Sequence, residues 1–365
     1  MPFFGLESPW SLDEWPWQHG TTRVLPVLHG SLELSRAVRA HLDAWRPDAV
    51  VAEIPEPAGA AWREALTRLP RIQAVQVEAG EEVSWLLVEP ADPLCEAGRW
   101  ALERRRQLVT ADLLVPGYAP SRQRLPDAAA IPNIGYRTYL DAVVGLGRAG
   151  ENSQADADRE RALAGAALEQ ATGDRRVALV VGLAHARAVL DQLQAGEVGT
   201  PFRRPVKAHC RAVAVADDAL GEVLSQPPFV QAAWERARRG GLPCPYELQR
   251  KAGPSAKVLS FPGAEPQAPA EEPQRGEDPD DEAELRALAR GDDLLARPRL
   301  AYRLVQQAIR YQQESGGGSV PNDHERRVLH RHARNMALLD ERLCPDLYEL
   351  AVAARGAVDD RFAQD

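Results

Sequence analysis

Arg23–Pro57, RVLPVLHGSLELSRAVRAHLDAWRPDAVVAEIPEP, decides how the rest of the chain is read. Thr22 to Leu28 is a short apolar strand, closed by Gly30-Ser31 with Ser31 placed to cap a helix. Leu34, Val38, Leu42 and Trp45 then recur at helical spacing. Pro47-Asp48 stops that helix, and Ala49–Ile54 is a continuous apolar run, as in a parallel strand buried on both faces. His29 follows the first strand and Glu53 ends the second. In an open α/β sheet both belong to the carboxyl edge, where ligands bind.

Working outward, Ala58–Leu69 reads as an amphipathic helix and residues 71–90 as a hairpin. Pro93–Thr110 reads as a helix ending in Arg104, Arg105 and Arg106, and Asp112–Tyr118 as a strand. Pro126–Gly135 reads as loop, and Thr138–Leu146 and Asp156–Thr172 as helices. Arg176–Val181 is the most apolar strand, and Gly182-Leu183-Ala184-His185 opens the helix after it. Val206–Val215 is a further strand and Phe229–Arg239 a short helix. The expected fold class is α/β: an open, mostly parallel sheet flanked by helices, followed by a disordered linker and a small all-helical region.

Three segments follow: an α/β domain over 1–250, an acidic Pro-rich linker over 251–283, and a helical C-terminal domain over 284–365. Helices are expected at Glu282–Ala289, Arg299–Glu314, His324–Arg342 and Pro345–Phe362. The net charge of −9 is concentrated in the linker: Glu265–Glu284 holds nine acidic residues against Arg275, a net of −8. The remainder is close to neutral, with no basic stripe for phosphates, so no nucleic-acid partner is expected. Cys95, Cys210, Cys244 and Cys344 form no CxxC pair, which points to a reducing, cytoplasmic setting. The N-terminus has no signal-peptide pattern. The longest apolar run, Val177–Leu190, carries His185 and Arg187 and is too short for a membrane span.

The candidate chemistry lies in His29, Glu53 and His185, each the first polar side chain after an apolar strand. If the strands are parallel neighbours, two imidazoles and a carboxylate converge. That set is suited to a divalent metal ion or to metal-free acid–base hydrolysis. Tyr136 and Arg137 lie where they could bind an oxyanion. Glu78 and Glu89 end strand-like runs and could approach the same edge, though they read more simply as solvated loop carboxylates. His330 and His332 are two apart and point to different helix faces, which argues against a shared metal. No nucleophile elbow, P-loop or GxGxxG occurs.

The motifs carry a resemblance. His29, Ser35, Pro47-Asp48 and Glu53 resemble the opening of TraB/PrgY-type proteins, a superfamily with ChaN-like proteins, erythromycin esterases and Tiki metalloproteases. The second GxxH of that group is matched by Gly182–His185, and its helix with an Arg-Glu pair by Asp158-Arg159-Glu160-Arg161. The first GxxH departs from the pattern, reading Pro26-Val27-Leu28-His29. The resemblance covers roughly 20–200 and implies a hydrolase, possibly metal-dependent, acting on a small-molecule or peptide substrate. His29, Glu53 and His185 would be its catalytic or metal-binding residues, with Arg159, Glu160, Tyr136 and Arg137 binding substrate. The alternative is a non-catalytic ligand-sensing or signalling module whose C-terminal helices recruit a protein partner.

Overall fold

The computed structural model describes residues 15–117, 125–145, 153–196, 206–240, 297–315 and 319–364 of the 365-residue chain. The expected linker, the expected helix at 282–289 and Cys244 lie outside these residues.

The main sheet has five strands in the order β1 (Gln18–His19), β2 (Thr22–Val27), β7 (Val177–Gly182), β3 (Ala49–Pro55) and β6 (Gln107–Asp112). β1 is an antiparallel edge ribbon and the other four strands run parallel. The two strands of the opening stretch are therefore separated by β7, which pairs Leu25 with Val180 on one side and Val51 with Leu179 on the other. Strands 22–27, 49–54 and 177–181 are buried almost throughout, because helices cover both faces. α1 (Leu32–Trp45) packs on α3 (Pro93–Glu103), and α6 (Gln154–Gln170) packs on α7 (Leu183–Ala195).

The local causes are plain in α1. The Ser31 hydroxyl accepts from Leu34 N–H at its start, and Leu34, Val38 and Leu42 are fully buried. The helix ends where Arg46 turns left-handed before Pro47. The crossover helix α3 is shorter than the apolar pattern predicts. It stops at Glu103, Arg105 adopts φ 52°, and Arg106 N–H bonds back to Ala101 O at 2.8 Å. The chain thus turns within three residues, and the next strand is 107–112 in place of the expected 112–118.

A second, antiparallel sheet holds the expected hairpin, β4 (Gln73–Ala79) with β5 (Glu82–Val88), and adds β8 (His209–Ala214) on the other edge of β4. α2 (Gly59–Arg68) packs between β4 and α3. Two short helices, α4 (Ile131–Ile134) and α8 (Leu220–Val223), lie in connections; α4 falls in the stretch 126–135 read as loop. α5 (Tyr136–Gly145) and α9 (Pro228–Arg238) fall close to their expected positions. α9 is fixed to α3 by the bidentate Arg99–Glu235 pair and by Arg238 on Glu96, all buried.

The C-terminal helices are α10 (Arg297–Ser315), α11 (Asp323–Leu339), α12 (Leu347–Ala357) and α13 (Asp360–Gln364). The last expected helix is two, broken at Val358. Asn322 with Glu325 and Asp346 with Glu349 form reciprocal capping boxes. These helices bury their own core, including Ile309, Leu329, Ala353 and Phe362. No helix among the described residues is long and apolar enough to cross a membrane.

Candidate functional site

Four parallel strands end at one edge, and each delivers a polar group there. His29 lies two residues beyond β2, Glu53 within the end of β3, Asp112 at the end of β6, and His185 in the first turn of α7 after β7. α6 lays Arg159 and Glu160 across that edge. Together these groups form two unlike assemblies.

The first is closed around Arg159. Its Nε and Nη2 donate to the two oxygens of Asp112 at 2.9 and 2.7 Å, and Nη2 also donates to Glu53 Oε1 at 2.7 Å. Nη1 faces His185 Nε2 at 3.3 Å. Because a guanidinium only donates, the network assigns the His185 proton to Nδ1, which donates to Glu160 Oε1 at 2.9 Å. Glu53 Oε2 accepts from Gly182 N–H at 2.5 Å, and a Cβ on Gly182 would stand 3.1 Å from that oxygen. The glycine of the second GxxH is thus explained by close carboxylate approach. Glu53, Asp112, Arg159, Glu160 and His185 are all buried.

The second assembly is open. His29 Nδ1 lies 3.3 Å from Asp92 Oδ2, with 64% of the His29 side-chain surface exposed against 8% for Asp92. Asp92 is also the N-cap of α3: it accepts from Cys95 N–H and Gly30 N–H, both at 3.0 Å. Gly30 has φ 69°, and a Cβ there would meet the Ser225 Cβ at 2.3 Å, so only glycine fits the turn that aims His29. Desolvation by crowding protein lowers the His29 pKa, but the Asp92 hydrogen bond and charge, helped by Glu53, outweigh it and raise it to about 9. The pairing with Asp92 thus favours the charged form of His29. Next to it, Glu89 is buried, accepting from Ser225 N–H at 3.2 Å, from the Ser225 hydroxyl and from Gln231 Nε2 at 2.6 Å. Burial raises its pKa against those bonds.

His29 lines two hollows. One, of about 620 Å³, runs between the strand edge and the C-terminal helices, with Glu33, Asp127, Arg297 and Arg342 among its polar walls. The other, of about 330 Å³, is bounded mainly by apolar side chains. Arg297 ion-pairs with buried Glu33, and Leu343 N–H donates to Asp127 Oδ2 at 2.9 Å, so the helices close over the larger hollow.

The expected trio therefore shares one edge but not one coordination shell. His185 Nε2 stands 3.9 Å from Glu53 Oε1 with Arg159 between their partners, while His29 pairs with Asp92. Among the described residues no group of three or more His, Cys, Asp and Glu side chains is arranged to hold a metal ion. A guanidinium fills the place between Glu53 and His185 where a cation would sit, so this donor set does not fit a divalent metal. Arg159 and Glu160 sit at the edge as expected, inside the closed assembly. Tyr136 does not face it: its hydroxyl donates to Pro26 O at 2.5 Å and its ring packs against Trp15. Arg137 is exposed on α5.

Pro26 costs no ladder bond. Val24 N–H points to Trp17 O on the β1 side, and Pro26, two residues on, points the same way past the end of β1. Ser35 is structural, donating to Ala91 O at 2.6 Å. Glu78 lies on the second sheet, and His209 on β8 is exposed. Asp92, Ser225 and Asp112 are absent from the candidate residues read in the sequence, and Glu89, read there as a solvated loop carboxylate, is buried. Asp92-Pro93 carried a signal, a capping residue before proline at the first helical position. Asp112 was legible only with its strand placed correctly.

No protein-family model, no curated protein and no solved structure matches this chain. The likeness to TraB-type proteins rests on the motifs alone.

Proposed function

We propose that the α/β unit is a hydrolase of small-molecule or peptide esters or amides, of the kind the TraB/erythromycin-esterase-like resemblance implies, with a metal-free site. The observation that carries this reading is the His29–Asp92 pair: an imidazole 3.3 Å from a buried carboxylate that raises its pKa, open to two hollows, and within the field of Glu53 and Arg159. In this scheme water attacks the substrate carbonyl carbon and Glu53 takes its proton. The charge of Arg159 and of His29 stabilises the oxyanion. As the bond to the leaving group breaks, His29 gives that group its proton. The Glu53 proton then passes to solvent and His29 is reprotonated. His185 and Glu160 position Arg159. The described cysteines are unpaired, which supports a reducing, cytoplasmic setting.

The test is turnover of neutral p-nitrophenyl esters by the full chain, with elemental analysis and chelator treatment alongside. His29→Ala and Glu53→Gln are each expected to lower kcat about 100-fold or more, with chelator having no effect. Stoichiometric metal whose removal abolishes turnover would restore the metal-dependent reading. A second reading, a ligand-sensing module, is favoured by Arg297 and Arg342 of the C-terminal segment lining the same cleft as His29. Ligand binding at His29 with no turnover of any ester or amide would select it.

A further inference from the structure

The two hollows that meet at His29 differ in chemistry. Both include Gly30 and Ser225, so they adjoin at one point. The larger is rimmed by charged groups from both halves of the chain. The smaller is walled by Ile54, Trp62, Trp85, Leu86 and Leu94, and its polar atoms come from His29, Glu89 and Asp92 at one end. A concave apolar surface with a few polar groups gathered at one end is the usual form of a small-ligand site, and about 330 Å³ is at the lower end of such volumes.

Its walls come from four elements, with Ile54 at the end of β3. Trp62 is on α2 and buried, and Leu94 is in the first turn of α3 and buried. Trp85 is on β5, the edge strand of the second sheet, and is 56% exposed. A single exposed apolar residue is ordinary on a protein surface. Trp85 differs because its side chain walls the hollow that reaches the open imidazole. A flat aromatic wall there takes an aryl or branched alkyl group by stacking and area burial.

We infer that this hollow is a binding subsite for a small, uncharged aryl or alkyl group, with Trp85 as its outer wall. Under the hydrolase reading that group is the acyl side of the substrate, its carbonyl at His29 and the polar remainder in the larger cleft. The inference rests on that reading only for what becomes of the ligand, since occupancy is measurable without turnover.

The experiment titrates the full chain with phenylacetamide and with acetamide, following the His29 ring-proton NMR resonance, assigned by its loss in His29→Gln. Phenylacetamide is expected to shift that resonance saturably, with acetamide at least tenfold weaker. Trp85→Ala should weaken phenylacetamide at least tenfold and Trp85→Phe should restore most of it. Because Trp85 is on the surface, both variants are expected to fold, and the rest of the spectrum reports this. No shift of His29 at millimolar phenylacetamide, equal binding by acetamide, or unchanged affinity in Trp85→Ala would each overturn the subsite. Ester turnover is scored separately. Binding without turnover removes the hydrolase reading and leaves the subsite, and turnover indifferent to Trp85 does the reverse.

Discussion

The Arg159 assembly and the His29 assembly are built at the same sheet edge from the same kinds of residue, yet they solve opposite problems. Around Arg159, one guanidinium answers two carboxylates and one imidazole, and little of these side chains is left in solvent. Around His29, one buried carboxylate answers an imidazole that stays in solvent. The first arrangement spends most of its hydrogen-bonding capacity internally, which suits a fixed field; under the hydrolase reading only the unused lone pairs of Glu53 take part in proton transfer. The second leaves a ring of raised pKa lining two hollows, which suits proton transfer. A catalytic edge needs both a part that does not move and a part that substrate can reach.

The comparison breaks most forcefully at Arg159. Arg159→Ala would leave Glu53 and Asp112 buried without their shared cation and His185 Nε2 without its facing donor. Removing one partner of a buried ionic network costs about 3–5 kcal/mol, and urea unfolding should show a loss of that size. Arg159→Lys should recover little, because a single ammonium cannot reproduce the fork on Asp112 together with the contacts to Glu53 and His185. If Arg159→Ala unfolds like the parent, the assembly is not the rigid half. Tyr136→Phe is the next largest. It removes the donor to the buried carbonyl of Pro26 and is expected to cost about 1–3 kcal/mol, with ester turnover per folded molecule and the His29 titration both unchanged. A selective fall in turnover would return Tyr136 to the substrate site.

How much of this was legible in sequence follows from what each residue needs to reveal itself. The parallel α/β sheet was readable because fully buried strands leave continuous apolar runs, at 22–28, 49–54 and 176–181. His29, Glu53 and His185 were readable because a polar residue that closes such a run has nowhere to go but the strand edge. The insertion of β7 between β2 and β3 was not readable, since apolar runs carry no label for their neighbours. Asp112 was hidden by three arginines that continue a helical composition past Glu103, where the backbone has already turned left-handed at Arg105. Glu89 was hidden differently: a carboxylate after a strand looks solvated until Ser225 and Gln231, more than 130 residues later, supply its partners. The exact place of Arg159 was hidden because the motif sets it beside Glu160 on one helix without saying which of the two reaches between the strands.

The smallest effect falls on the open assembly and tests whether it is a proton carrier. His29 has a folded pKa near 9, raised above its ordinary 6.5 mainly by Asp92 against desolvation. A pKa raised on folding means that the folded state binds the proton more tightly. The resulting stability is fully present below pH 6.5 and fades as pH rises through about 9. With 64% of the His29 side chain in solvent, screening reduces that contribution to about 1 kcal/mol or less. Asp92→Asn keeps an oxygen for the Gly30 and Cys95 N–H groups but drops the charge. The His29 NMR midpoint should fall toward 6.5, and the difference in stability between parent and variant should shrink between pH 6.5 and 9. If His29 is the general acid, kcat/KM in the parent should decline above about 9 and in the variant one to two units lower. A His29 midpoint that ignores Asp92→Asn would mean that the ring is merely exposed. The contrast with the Arg159 assembly would then be one of solvent alone.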